Sequence, residues 1–207
     1  MSTAFSGAER DWQAQLGKLR DVVRQELVAR QLAAEPTEVR ARVRVERDLI
    51  ENFAERSGVP PALAVLCHGV LMYLADPDPV LRAIARLTAP GGMASLLVRN
   101  GDALAMRAGL RAEWAACAKA FGSLGYVNRI GVTARAHRRA DQTARLERHG
   151  LEVTAWYGVR VFTDTARGDA ELPADIEALL GCEERAGRTD PYRQVAALLH
   201  LIARRRG

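Results

Sequence analysis

Cys67-His68 closes one short apolar run and Asn100 follows another, while Arg20, Asp48, Arg160, Tyr192 and His200 are scattered along the rest of the chain. No Ser-His-Asp set, no phosphate loop and no cluster at metal-ligand spacing is found in the 207 residues. What remains suits the holding and orienting of a ligand. A guanidinium can fork two hydrogen bonds onto a carboxylate. Loops at the carboxyl ends of strands form the site in doubly wound sheets. Each residue also has a plainer reading. Arg20 reads as a solvated helix arginine, His68 as a strand-capping histidine with one nitrogen satisfied, and Arg160 as half of an ion pair. His200, set between leucines, reads as structural, and Cys67 as packing.

The stretch from Leu63 to Val98 must position these groups. Leu63 to Cys67, bounded upstream by Pro60-Pro61, and Met93 to Val98 have the length of buried strands. Between them Asp78 can cap a helix, Pro79 suits its first position, and Val80, Leu81, Ile84 and Leu87 share one face. Pro90-Gly91-Gly92 stops it, which completes a βαβ unit.

Upstream, Asp11 to Ala34 is helical in pattern, with Leu16, Leu19, Val23, Leu27 and Val28 on one side. Val39 to Asp48 alternates as a half-buried strand does, although Val39, Val43, Ile50 and Phe53 also fit one helix from Thr37 to Arg56. Downstream, a helix is predicted from Ala103 to Phe121, with Leu104, Leu110, Trp114 and Ala118 inward. Gly122 to Arg139 is glycine-punctuated and basic, and a helix from Ala140 to His149 ends at Gly150. Leu151 to Phe162 is strand-like, 174 to 186 is a helix with Ile176, Leu179 and Leu180 inward, and Ala197 to Arg204 is a last strand.

Hydrophobic content of 48% and charged content of 27% are those of one globular domain with a real core. Cys67, Cys117 and Cys182 have no CxxC spacing, which fits reduced thiols in a cytoplasmic protein. No apolar run approaches membrane-spanning length and no signal-peptide pattern opens the chain, so no membrane is expected. Net charge is +5. From Arg129 to Arg148 six arginines (129, 135, 138, 139, 145, 148) face only Asp141 and Glu147, a patch that could attract nucleic acid, such as tRNA, or another anionic partner, or be a solvated surface.

Cys67-His68-Gly69-Val70-Leu71, Met72-Tyr73-Leu74-Ala75-Asp76-Pro77 and Ala89-Pro90-Gly91-Gly92 together resemble the fourth and fifth strands of class I S-adenosylmethionine-dependent methyltransferases. Leu151 to Phe162 resembles that family's sixth strand and its GVRVF sequel, here at 158–162, while Gly17-Lys18-Leu19-Arg20 and the spacing from Tyr192 through His200 to Ala203-Arg204 are similar to the carboxymethoxyuridine tRNA methyltransferase subgroup. The resemblance implies a doubly wound, Rossmann-like α/β sheet whose last strand is antiparallel. It implies S-adenosyl-L-methionine as cofactor, with Arg20 at the donor carboxylate, Asp48 at the adenine amine, and Leu49, Cys67 and His68 beside the donor. Asn100, Arg160 and Tyr192 would lie on the substrate side. The acceptor would be a modified tRNA uridine, with a small carboxylate as the alternative. Methyl transfer is an in-line displacement that needs alignment more than a dedicated base.

The resemblance breaks between residues 35 and 62. A glycine-rich loop and a second strand ending in an acid should lie there, yet no glycine occurs from Lys18 to Ser57. About two βα units are absent, on the order of 50–60 residues at roughly 30 per unit. The chain then divides into an opening helix (11–34), a residual donor side (39–100), a substrate-side insertion (101–150) and C-terminal strands (151–207) of one domain. The missing units imply weak donor binding and exposed strand edges open to self-association. An internally deleted, non-catalytic remnant is the competing reading.

Overall fold

The computed structural model describes residues 13, 16–33, 48–56, 58–128 and 130–207. In chain order the described elements begin with α1 (Leu19–Ala33), α2 (Ile50–Glu55), β1 (Ala62–His68), α3 (Asp78–Leu87) and β2 (Thr88–Arg99). There follow α4 (Leu104–Leu110), α5 (Trp114–Gly122), the hairpin β3 (Gly125–Val127) and β4 (Thr133–Arg135), and α6 (Arg139–Arg148). β5 (Leu151–Val159), α7 (Ile176–Arg188) and β6 (Leu198–Arg205) complete the chain. The predicted strand at Val39 to Asp48 lies outside the described residues except for Asp48, as does Arg129.

Four strands form a mixed sheet in the order β1-β2-β6-β5. β1 and β2 are parallel, and β6 is antiparallel to both β2 and β5. The last strand is therefore antiparallel as expected, and it is inserted between two earlier ones. Side chains alternate across each strand. Cys67, Leu96, Val98, Leu199 and Leu201 face one core with Leu81 and Ile84 of α3 and Leu146 of α6. Leu97, Val159 and Leu198 face the other, with Leu19, Val23 and Leu27 of α1 and Leu180 of α7. Helices thus cover both faces of the sheet, the three-layer α/β arrangement.

Local details differ from the sequence reading where tertiary contacts compete. Pro77, not Asp78, holds the cap position of α3, and the Asp76 carboxylate accepts from the Asp78 N–H at 3.0 Å. The Asp78 carboxylate is taken by Arg145 (2.8 Å) and Arg148 (3.6 Å) of α6. The helix ends before Pro90, where the Thr88 hydroxyl donates to the Ile84 carbonyl at 2.7 Å. Pro90-Gly91-Gly92 instead forms an irregularity inside β2, since Ala62 pairs with Thr88 and Ala64 already with Met93.

The single helix expected from Ala103 to Phe121 is two, broken where Ala112 takes a positive φ of 57°. Leu110 and Trp114, expected inward, are 70% and 69% exposed. The face bearing Leu104, Arg107, Ala108, Ala116 and Lys119 walls the cleft described next.

Among the described residues β1 has one strand neighbour, β2, so its outer edge is open. Leu63 and Leu66, in an apolar run read as a buried strand, are 67% and 53% exposed, one on each face of the sheet.

Candidate functional site

A cleft of about 930 Å³ opens at the carboxyl ends of β1 and β2. It is roofed by α1, α4, α5 and the β3–β4 hairpin. Seven basic side chains line it, Lys18, Arg20, Arg24, Arg99, Arg107, Lys119 and Arg160, against Asp21, Glu113 and Asp164. The surplus of positive charge in a walled cavity focuses the field on an anionic ligand.

Asp164 organises the floor. Its Oδ2 accepts from Arg99 Nη1 at 3.0 Å, its Oδ1 lies 3.2 Å from Arg160 Nη2, and its backbone carbonyl accepts from Arg20 Nη1 at 2.9 Å. Burial alone would push this carboxyl up, but the Arg99 and Arg160 guanidinium groups outweigh it and hold it below the ordinary aspartate value. Arg20 itself is only 4% exposed. Arg99 carries a buried Nε with no hydrogen-bond partner, and its guanidinium lies 6.0 Å from the Tyr126 ring centroid. Burial pushes the Tyr126 hydroxyl up to about 12, and it donates to the Met72 sulfur at 3.5 Å.

The loop that carries Arg160 and Asp164 is held from beneath. Glu183 of α7, fully buried, accepts from the backbone N–H groups of Val161 (2.7 Å), Phe162 (3.0 Å) and Thr163 (2.8 Å) and from the Thr163 hydroxyl (2.7 Å). Arg160 has a left-handed φ of 61°, a conformation that costs a non-glycine residue about 1 kcal/mol or more. The four hydrogen bonds to Glu183 hold the chain in place immediately after it.

His68 lines the cleft, and its Nε2 lies 2.8 Å from the Ser95 hydroxyl. Burial, helped by the nearby Arg24 charge, holds its pKa below the usual histidine value, so the ring is neutral near pH 7. Arg20, His68 and Arg160, read from three separate stretches, therefore share one cleft.

The other sequence candidates do not join them. Cys67 points into the opposite core, since neighbouring strand residues face opposite ways. Burial pushes its thiol up to about 11. Asp48 and Leu49 are at the start of α2 and do not line the cleft. The Asp48 carboxylate is occupied locally by the Leu49 N–H (2.8 Å), Asn52 (3.3 Å) and Arg56.

Asn100 is 1% exposed and fully used. Its amide donates to the Gln194 and Ala196 carbonyls at 3.0 and 2.9 Å and its Oδ1 accepts from Asp102 N–H at 3.0 Å. It ties the loop after β2 to the segment before β6. Tyr192 stands exposed, 6.5 Å from the Phe162 ring, away from the cleft.

Four arginines of the basic run have partners within the protein. Arg138 lies 3.7 Å from Asp102, Arg145 and Arg148 meet Asp78, and Arg139 stacks 5.0 Å from the Trp156 centroid. Ser95, Asp164, Gln31 and Glu183 are not among the sequence candidates, whereas Arg99 opens the loop Arg99-Asn100-Gly101-Asp102 at the carboxyl end of a strand, the place where a doubly wound sheet forms its site. No group of three or more metal-ligating side chains is found among the described residues. No described helix is long and apolar enough to cross a membrane.

No protein-family profile matches the chain. Two relatives are the tRNA 5-carboxymethoxyuridine methyltransferases of Escherichia coli K12 and Escherichia coli O157:H7. The chain is 30% identical to each over 154 residues, 70% of this chain and 55% of the relative. It thus spans about half the length of the curated relatives it matches. Among solved structures, an S-adenosylmethionine dependent methyltransferase from Mesorhizobium loti overlays with a TM-score of 0.44 and 16% identity, covering 87% of this chain and 76% of that one. The methyltransferase resemblance read around His68 is the one that the relatives bear out.

Proposed function

We propose that the chain transfers a methyl group from S-adenosylmethionine to a carboxylate, with a modified tRNA uridine as the acceptor suggested by its relatives' names. The supporting observation is the meeting of Arg20 and His68, 48 positions apart, in one cationic cleft at the carboxyl ends of the strands. When bound, the cofactor supplies an activated methyl on its sulfonium. The chain's own residues would bind and align. A carboxylate acceptor is ionised near pH 7 and needs no base. Guanidinium donors such as Arg99 and Arg160 can orient it.

The described residues suit the amino-acid end of the donor and not its adenosine end, since Asp48 was expected at the adenine amine and the ribose acid belongs to the missing second strand. Arg20 can turn a guanidinium edge to a carboxylate, and His68 offers a neutral ring. Asp48 is engaged elsewhere, and no glycine-rich loop occurs between Gly17 and Gly58. Each missing hydrogen bond removes roughly 1–3 kcal/mol. Against the ~8 kcal/mol of a micromolar complex, a few such losses bring donor affinity to the millimolar range.

The absent loop favours one second reading, a non-catalytic remnant that binds a partner. A transfer assay separates the two. Labelled methyl donor at millimolar concentration is offered with tRNA bearing carboxymethoxyuridine, or with a small carboxylate. Transfer by the native chain and none by Arg20→Ala supports the enzyme, whereas no transfer to either acceptor supports the remnant.

The cytoplasm is the compartment we assign, since Cys67, Cys117 and Cys182 are all free thiols. tRNA would approach the cleft and the neighbouring 129–148 run, in which Arg138, Arg145 and Arg148 share the two carboxylates of Asp102 and Asp78. A second copy of the chain could pair along the open edge of β1.

A further inference from the structure

A line of four side chains crosses the sheet on the face covered by α1. Gln31 Oε1 lies 2.6 Å from His200 Nδ1. His200 Nε2 lies 2.7 Å from Ser95 Oγ, and Ser95 Oγ lies 2.8 Å from His68 Nε2. They come from α1, β6, β2 and β1. The strand register brings them together, since Leu97 is opposite His200 on one side and His68 on the other, and Ser95 is two residues before it on the same face. Gln31, Ser95 and His200 are fully buried.

The chemistry of such a line leaves little freedom. A serine hydroxyl has one proton, so it donates to one ring and must receive from the other. A carbonyl oxygen only accepts, so Gln31 Oε1 requires a proton on His200 Nδ1. His200 is neutral, burial holding its pKa down near 3, so its Nε2 is bare and takes the Ser95 proton. The Ser95 lone pair then faces His68 Nε2, which must carry hydrogen. His68 is neutral as well, so its Nδ1 is bare. Among the described residues the Gln31 amide nitrogen is buried without a partner, so the satisfied contact of that side chain is the one to the ring.

We infer that Gln31, His200 and Ser95 form a relay that fixes His68 as the Nε2–H tautomer, so that the cleft is offered an acceptor nitrogen and not a donor. Ser95 and Gln31 are then positioning residues acting through His68. The ligand group recognised there is an N–H or O–H donor, such as an ammonium or a sugar hydroxyl. An oxyanion is refused at that spot and directed to the arginines. The ligand part of this inference rests on the cleft being the binding site proposed above, but the tautomer does not.

Long-range proton–nitrogen correlation of the imidazoles in the full chain at pH 7 tests the relay without any ligand. His200 should show hydrogen on Nδ1, and His68 should show hydrogen on Nε2 with a bare Nδ1. Ser95→Ala should turn His68 into a tautomer mixture while His200 keeps its Nδ1 proton. Ser95→Thr, which retains the hydroxyl, should restore the single tautomer. Gln31→Met should release both rings. Hydrogen on His68 Nδ1 in the native chain would mean that the relay runs the opposite way, and overturns the inference, as would a His68 tautomer unmoved by Ser95→Ala.

The same spectra are then followed during titration with S-adenosylhomocysteine. A saturable shift of His68 Nδ1, with affinity weakened roughly three- to tenfold in Ser95→Ala, supports the positioning role. Equal affinity in both chains overturns it. The expected tautomers with no ligand shift leave the relay standing and refute the donor-binding reading alone.

Discussion

Arg20 donates to the backbone carbonyl of Asp164 across 2.9 Å, although 144 residues of chain separate them. The bond fastens α1 to the loop after β5. The Asp164 carboxylate in turn holds Arg99 and Arg160. One residue thereby positions three cationic side chains in the cleft, and the first prediction concerns it.

Asp164→Asn should leave two buried guanidinium groups without their counter-ion. Removing one partner of a buried pair costs about 3–5 kcal/mol, and the side chains of Arg99, Arg160 and Asp164 are only 10–14% exposed. Urea unfolding should show a stability loss of that order. A loss under about 1 kcal/mol, the level of a surface pair, would show that Asp164 does not organise the floor.

Acid should unfold the protein in two overlapping windows. His200 is neutral in the folded chain, its pKa held near 3 by burial against an ordinary 6.5. The unfolded chain therefore takes up more protons below about pH 6.5, and stability falls from there down toward pH 3. Asp164 has a depressed pKa, so its contribution is present above the ordinary aspartate value of about 3.9 and is lost as pH falls through the folded one. Melting temperatures recorded from pH 7 to pH 4 should fall steadily. His200→Gln should flatten that slope, and an unchanged slope would contradict the assignment.

Gly187→Ala tests the packing of α7 on β5. A Cβ at Gly187 would sit 2.3 Å from the Gly158 carbonyl oxygen, which is backbone and cannot rotate away. The helix must then shift, at about 1–3 kcal/mol. Because Glu183 lies on the same helix, the loop bearing Arg160 should loosen as well, seen as faster amide exchange at Val161 to Thr163. A variant as stable as the native chain would show that α7 is not seated so closely.

Much of the frame was legible because it rests on short-range pattern. The strands around Cys67, Met93–Val98, Leu151 and Leu199 announce themselves as apolar runs between turn signals, and Gly150 ends α6 with a positive φ of 76° as its position implied. The antiparallel last strand came from family resemblance. The break at Ala112 was not legible, since no proline marks it and the helical pattern runs through. Glu183 was invisible for a different reason. It acts on backbone N–H groups about 20 residues away, and backbone groups leave no trace in a sequence. Asp48 fits its expected role by type and position, yet Asn52 and Arg56, one and two helical turns on, claim its carboxylate first.

The open edge of β1 should make the chain self-associate. Leu63 and Leu66 expose apolar surface beside a strand edge that pairs with no other strand among the described residues, a combination that recruits a further strand. Light scattering should show a dimer or larger species, and Leu66→Lys should shift it toward monomer. A native chain that is monomeric at all concentrations, with a sharp cooperative melt, would contradict this.

Titration of the native chain and Arg20→Ala with S-adenosylmethionine, read by calorimetry, tests the central claim most directly. The native chain should bind saturably with a dissociation constant in the millimolar range, for the reasons of lost contacts given above, and Arg20→Ala should not bind measurably. Absence of saturable binding to the native chain, or equal binding by Arg20→Ala, would show that this cleft does not hold the methyl donor.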